Sequence, residues 1–297
     1  DYFNDKLFLI SATGKLTYTN INSLNNNQFI MKRIKTNINE IINYKEFYSQ
    51  SKFGIKDMLI YKNRIYISYT NQKKKDCFST SILAGHINLN KIIFKNFFIP
   101  NQCVEKKNNY GEFNAHQSGG RMFGYEDKII FSTGEFRYRT LAQNPESVFG
   151  KILQIDIKTK DNKILSIGHR NPQGLFFHYK QNILLSSEHG PDGGDEINIL
   201  DLNEKFKVNN FGWPKASYGK HYYQKKNDPR LVFAPLHKSH KKYGFIEPIK
   251  YFDPSIGISQ IIHIPKKFNN SNNENQYLVG SMGNGKRLDK GALSLFY

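Results

Sequence analysis

Two segments concentrate the side chains of this sequence that can do chemistry. Gly168-His169-Arg170-Asn171-Pro172-Gln173-Gly174-Leu175 is followed, thirteen residues on from Leu175, by Glu188-His189-Gly190-Pro191-Asp192-Gly193-Gly194-Asp195-Glu196. An arginine, an asparagine, two histidines and four acids thus flank one short apolar run. Arg170 carries a planar fork suited to two-pronged binding of a carboxylate. Asn171 precedes proline, which forces an extended backbone and turns the amide sideways; the alternative for both residues is to tie neighbouring strands together. In the second segment the glycines free backbone carbonyls, and Asp195 and Glu196 add carboxylates, the hard oxygen donors that calcium takes. The spacing is not that of an EF-hand, and an acidic turn is the plain alternative. Upstream, Asn114-Ala115-His116-Gln117-Ser118-Gly119-Gly120-Arg121 offers His116, the side chain type best poised to accept a proton near neutral pH. A histidine satisfied by a backbone carbonyl is the competing reading. Downstream, Lys286 and Arg287 follow a glycine-rich turn and suit either an anion site or an exposed hairpin. Trp213, the only tryptophan, adjoins Pro214 and reads as a stacking surface or a core plug.

Residues of this kind need a rigid frame. The run Leu175 to Leu185 is broken by Tyr179-Lys180-Gln181-Asn182, so it reads as a hairpin with polar loops at its far end. Similar strand–turn–strand units start near Lys6, Met58, Gly120, Gly174 and Ile258, and Leu293 to Phe296 adds a further strand. Units roughly 50 to 80 residues apart, each one sheet, point to a β-propeller. About five are readable. A sixth blade completed by residues outside this sequence is part of the expectation, which would make the chain a fragment. Glu40 to Gln50 suits a short helix or a linking loop. The Asn-rich stretches Asn20 to Asn27 and Asn269 to Asn275 read as solvated insertions. Nothing marks a domain boundary, so residues 1–297 are expected to be a single domain.

Composition agrees with strands. The 297 residues include 23 Phe and 18 Tyr, types that favour sheets. No run of 18 apolar residues exists, so no membrane span is expected. The net charge of +18 raises a nucleic-acid partner as a candidate. The cations, however, are 35 Lys scattered among Asn and Ile against eight Arg, which reads as compositional drift, and no nucleic acid is expected. Cys77 and Cys103 are either one disulfide or two buried thiols.

Taken in order, His116-x-x-Gly-Gly-Arg121, Ala142 to Asp156, Gly168 to Leu175, Glu188 to Asn198, Asn210-Phe-Gly-Trp-Pro214, Ser217-Tyr-Gly219 and Pro254-Ser255-Ile256 resemble the soluble glucose/sorbosone dehydrogenase family. Its members are PQQ-dependent aldose sugar dehydrogenases on six-bladed β-propellers. The resemblance implies an all-β, six-bladed fold and an oxidoreductase that oxidises an aldose at its anomeric carbon, delivering hydride to PQQ and electrons onward to an external acceptor. It makes His116 the general base. It assigns Arg170, Asn171, His189, Ser255, Lys286 and Arg287 to PQQ, and the carbonyls of Gly190 and Pro191 to the calcium ion beside it. Asp195 and Glu196 match the region of a second, structural calcium site. It implies a periplasmic or secreted protein, its signal peptide outside this sequence, acting as monomer or homodimer. That location suits a Cys77–Cys103 bridge. The alternative is a non-catalytic propeller that binds a glycan or a protein through its central face.

Overall fold

A computed structural model describes residues 1–25, 30–203, 208–222, 228–268, 276–282 and 293–296. Among the described residues the strands form five sheets that follow one another along the chain. Each contains one of the expected hairpins. The second pairs Ile55–Tyr61 with Arg64–Lys74, the third Gly119–Tyr125 with Lys128–Thr133, the fourth Pro172–His178 with Ile183–Glu188, and the fifth Ile258–His263 with Tyr277–Ser281. The strand Leu293–Phe296 joins the fifth sheet. In the first sheet the hairpin Lys6–Ile10 with Leu16–Asn20 lies one place further out, because the two-residue strand Tyr2–Phe3 pairs inside it. Neighbouring sheets meet along Ile55–Tyr61, Gly119–Tyr125, Pro172–His178 and Ile258–His263. These four are the innermost strands of successive blades, and the molecule is a β-propeller.

The alternation within each strand sends apolar side chains to the faces between blades. Ile65, Ile67, Phe78 and Leu83 pack toward the first blade, and Tyr66, Ile82, Ile129, Phe131 and Leu153 fill the next interface. The span 40–50 forms short helices, Ile38–Ile41 and Lys45–Ser49, whose Ile38 and Phe47 are buried. Phe47→Ala would cost about 3–5 kcal/mol. Cys77, at the start of its strand, is bonded to Cys103, closing a separation of 26 residues. That bridge pins the loop between Phe98 and Val104, at the edge of the second blade, and fits an oxidising compartment.

Candidate active site

In the second to fifth blades the loop before the innermost strand and the loop after the next strand share one end of the propeller, since the two strands are antiparallel. Gly119 faces Thr133 in register and Pro172 faces Glu188. The sequence motifs therefore converge on one rim. His116 lies in the loop before Gly119–Tyr125. That loop is held from three blades: Asn114 N–H donates to the Phe136 carbonyl (2.8 Å), Thr80 Oγ1 to the Ser118 carbonyl (2.7 Å), and Gly119 N–H to Asn171 Oδ1 (2.9 Å). His116 donates its own backbone N–H to Asn114 Oδ1 at 2.9 Å, and the residue is exposed. No hydrogen bond ties up its imidazole among the described residues. Partial burial, then the nearby charges of Lys56 and Lys52, hold its pKa below the ordinary histidine value. The ring is thus neutral and free to accept a proton at neutral pH.

Beside it, Arg170 is only 5% exposed. Its Nη1 donates to the His189 carbonyl at 2.9 Å, and its guanidinium lies over the rings of Trp213 (5.3 Å) and Tyr222 (5.8 Å). Trp213 is therefore a buried platform for this cation. Arginine donors on one side and the Glu135 carboxyl on the other set which way the Gln117 amide faces: so oriented, its oxygen accepts from Arg170 Nη2 at 2.9 Å and its nitrogen donates to Glu135 Oε1 at 2.7 Å, linking Arg170 to the His116 loop. Beneath, Glu188 accepts from Arg170 N–H (2.8 Å), His169 Nδ1 (3.0 Å) and Asn198 Nδ2 (2.8 Å). Burial alone would raise the Glu188 carboxyl, but these three donors hold it below the usual range. His189 donates its N–H to the Asn171 carbonyl (3.2 Å), and its Nε2 meets Gln173 Oε1 (3.3 Å). Burial lowers the His189 pKa despite Asp195. Arg170, Asn171, His189 and His116 thus belong to one connected cluster.

The glycine-rich loop adjoins it. Gly190 and Gly194 cannot be replaced: a Cβ on Gly190 would stand 2.1 Å from the Gly194 carbonyl oxygen, and one on Gly194 2.2 Å from Gly219 N. The Asp195 carboxylate accepts four backbone N–H groups, from Gly190 through Oδ1 and from Ile256, Gly257 and Ile258 through Oδ2, all between 2.8 and 3.1 Å. Asp195 therefore clamps the loop to the fifth blade. Ser255, just before that point, donates to the Pro191 carbonyl at 3.2 Å. Glu196 is buried, 3.5 Å from His240 Nε2, and burial with the like charge of Glu188 pushes its carboxyl well above the usual range. Among the described residues no group of three or more His, Cys, Asp or Glu converges as a metal-ligand set, so a cation here would rely on backbone carbonyls. Lys286 and Arg287 lie outside the described residues.

Four residues at this rim were not singled out from the sequence. Lys56 and Asp57 follow Ile55 on the innermost strand of the second blade. Lys56 Nζ donates to the carbonyls of Lys52 (2.9 Å) and Ala115 (3.4 Å), and burial lowers its pKa to about 8. Asp57 receives Arg121 Nη1 and Met122 N–H, each at 2.8 Å. Two adjacent charges inside an apolar run were the visible signal for both. Glu135 and Gln117 carried none, since nothing in their spacing shows that they meet.

This geometry has relatives. The family described as glucose/sorbosone dehydrogenase matches residues 29–291. The aldose sugar dehydrogenase YliI of Escherichia coli is 28% identical over 212 residues, 66% of this chain and 52% of that protein. The quinoprotein glucose dehydrogenase B of Acinetobacter calcoaceticus is 31% identical over 132 residues, 34% of this chain and 26% of that protein. The chain thus aligns with about half the length of the first relative and less of the second. The PQQ-bound aldose sugar dehydrogenase of Streptomyces coelicolor shares the fold, with a TM-score of 0.59 over 95% of this chain and 75% of that one at 18% identity. With the match running through nearly every blade and through both motifs of the rim, the chain belongs to the glucose/sorbosone dehydrogenase family.

Proposed function

We propose that the protein is a sugar dehydrogenase that oxidises an aldose at its anomeric carbon, with PQQ and calcium as cofactors and His116 as general base. The observation that carries this reading is the Gln117 bridge: it ties the loop bearing His116, an exposed residue whose imidazole makes no hydrogen bond among the described residues, to the buried guanidinium of Arg170. Relatives described as an aldose sugar dehydrogenase and a quinoprotein glucose dehydrogenase support it.

The residues present fit such a cofactor. PQQ carries three carboxylates, and Arg170 offers a desolvated cation, where electrostatic attraction is strong. The pocket that Arg170 shares with Glu188, His189, Gly190, Glu196, Trp213 and Ser217 holds only about 10 Å³, room for about one water. A flat cofactor would not fit inside it and would lie outside it, over the rim that carries His116. The carbonyls of Gly190 and Pro191 would hold calcium, with Asp195 fixing the loop and Ser255 orienting Pro191. The second, structural calcium site that the resemblance assigns to Asp195 and Glu196 would require Asp195 to give up backbone donors, since its two oxygens already accept four N–H groups. Asn171, His189, Lys286 and Arg287 would complete the cofactor's surroundings.

When bound, PQQ supplies the two-electron acceptor and calcium the polarisation of its quinone. The chain's own part is to bind, orient and deprotonate. His116 takes the proton of the anomeric hydroxyl, and its depressed pKa keeps it able to do so at and below neutral pH. Lys56 holds the Ala115 carbonyl and so the backbone of the His116 loop. Electrons pass to an external acceptor. The disulfide supports a periplasmic or secreted location, and a single propeller domain acting as monomer or homodimer is the expected assembly.

The test is reconstitution. The protein with PQQ and calcium should reduce a redox dye in the presence of one of a panel of aldoses, and His116→Ala should lower kcat by about 10²–10⁴ while still binding PQQ. A folded protein that binds no PQQ yet retains a sugar would leave the non-catalytic propeller instead.

A further inference from the structure

We propose that Arg137 and Arg170 together form a two-guanidinium seat for a carboxylate at the rim of the channel. This rests on the dehydrogenase reading and deepens it, by adding a ligand contact that lies outside the two motifs of the rim.

The side-chain oxygen of Gln117 accepts from both arginines, from Arg137 Nε at 3.2 Å and Arg170 Nη2 at 2.9 Å. Both guanidiniums also lie over one ring, that of Tyr222, at 5.5 and 5.8 Å. Tyr222 is 46% exposed, so the pair stands between a buried amide and the open rim. Two like charges gathered on one acceptor repel each other. Arg139 nearby is neutralised by Glu112 at 3.0 Å. For Arg137 and Arg170 the carboxyl in contact, through Gln117, is Glu135 alone among the described residues. Glu135 is wholly buried, and burial pushes its carboxyl up to about 7 in spite of Arg170 and Arg139. It offsets at most one of the two positive charges.

The backbone points the same way. Phe136 and Arg137 both have left-handed φ angles, 52° and 68°, a conformation that non-glycine residues seldom adopt and that clusters at ligand sites. Here it is held by Phe136 N–H on the Gln117 carbonyl and Tyr138 N–H on the Glu135 carbonyl, both 2.8 Å. The strained turn delivers Arg137 to the same amide as Arg170. An anion with two oxygens relieves the repulsion and matches the geometry of two guanidiniums. The carboxylate belongs either to the quinone cofactor or to a sugar acid such as a uronate.

The experiment uses Arg137→Gln and Arg137→Lys in the reconstituted holoprotein. PQQ binding in calcium is measured by calorimetry, and KM is compared for glucuronate and glucose. A Kd for PQQ weakened about 10-fold or more in Arg137→Gln, partly recovered by Lys, places the cofactor's carboxylate in the seat. An unchanged Kd with a glucuronate KM raised by a similar factor, and glucose unaffected, places the substrate's there. Both unchanged, in variants whose Tm matches the parent, overturns the inference while the dehydrogenase reading stands. If the parent protein binds no PQQ, the probe becomes benzene-1,3,5-tricarboxylate. Binding that is lost in Arg137→Gln then upholds the seat although the dehydrogenase reading has failed. Equal or absent binding in both proteins overturns the seat as well.

Discussion

Arg121 and Arg170 belong to adjacent blades and to glycine-rich segments of similar look, yet they meet opposite surroundings. Arg121 of the third blade reaches both neighbouring blades: Nη1 meets Asp57 of the second, and Nε donates to the Gln173 carbonyl of the fourth, both within 2.9 Å. Its charge is answered by a dedicated carboxylate, and it laces three innermost strands together. Among the described residues the Arg170 guanidinium has no such partner. The carboxyl it reaches, Glu135, lies behind Gln117 and is shared with Arg137. The first arginine is scaffold and the second is available. The difference comes from a residue on the neighbouring strand, not from the motif around the arginine.

That contrast can be broken by exchanging the consequences. Asp57→Asn strands a mostly buried guanidinium, and removing one partner of such a pair costs about 3–5 kcal/mol; urea unfolding of the cofactor-free protein should show the loss. Arg170→Met should do the reverse. Its stability should stay within about 1 kcal/mol of the parent, because a desolvated and poorly compensated charge disappears. Its PQQ affinity should fall about 100-fold, as expected for lost hydrogen bonds to a charged ligand. If instead the Arg170 variant unfolds and the Asp57 variant does not, the two arginines have been assigned the wrong way round.

Smaller effects sharpen the picture of the rim. Burial and the Lys56 and Lys52 charges depress the His116 pKa, so the acid limb of kcat/KM should fall below pH 6.5. Lys56→Met removes one of those charges and should move the limb upward by up to about one unit; an unmoved limb would separate Lys56 from the base. Glu135 has a folded pKa of about 7 against an ordinary 4.5. Its contribution to stability is therefore complete below pH 4.5 and is lost as pH rises through 7. Glu135→Gln should match the parent in Tm near pH 4.5 and exceed it increasingly toward pH 8.

Much of this was legible in the residues. Strand–turn–strand periodicity located five hairpins, because apolar alternation and turn chemistry are local properties. The motifs around His116, Arg170 and Gly190 stood out because they break that periodicity with polar and glycine residues. The partners that decide their roles were not legible. Asp57 lies 64 residues from Arg121, and the Glu135 carboxyl is linked to the Arg170 guanidinium through Gln117. Such pairings are fixed by how the blades close around the axis, which no local pattern encodes. Asp195 shows the same limit: it looked like a cation ligand, and its four backbone donors come partly from a segment more than 60 residues away.

The central claim is that His116 deprotonates the sugar next to a cofactor seated on Arg170. Anaerobic stopped-flow mixing of the PQQ- and calcium-loaded protein with an aldose tests it most directly, by following the quinone absorbance in the parent and in His116→Ala. The account predicts a single fast loss of the oxidised signal in the parent, and the same change slowed by about 10²–10⁴ in the variant at unchanged PQQ occupancy. Equal rates in the two proteins would contradict it.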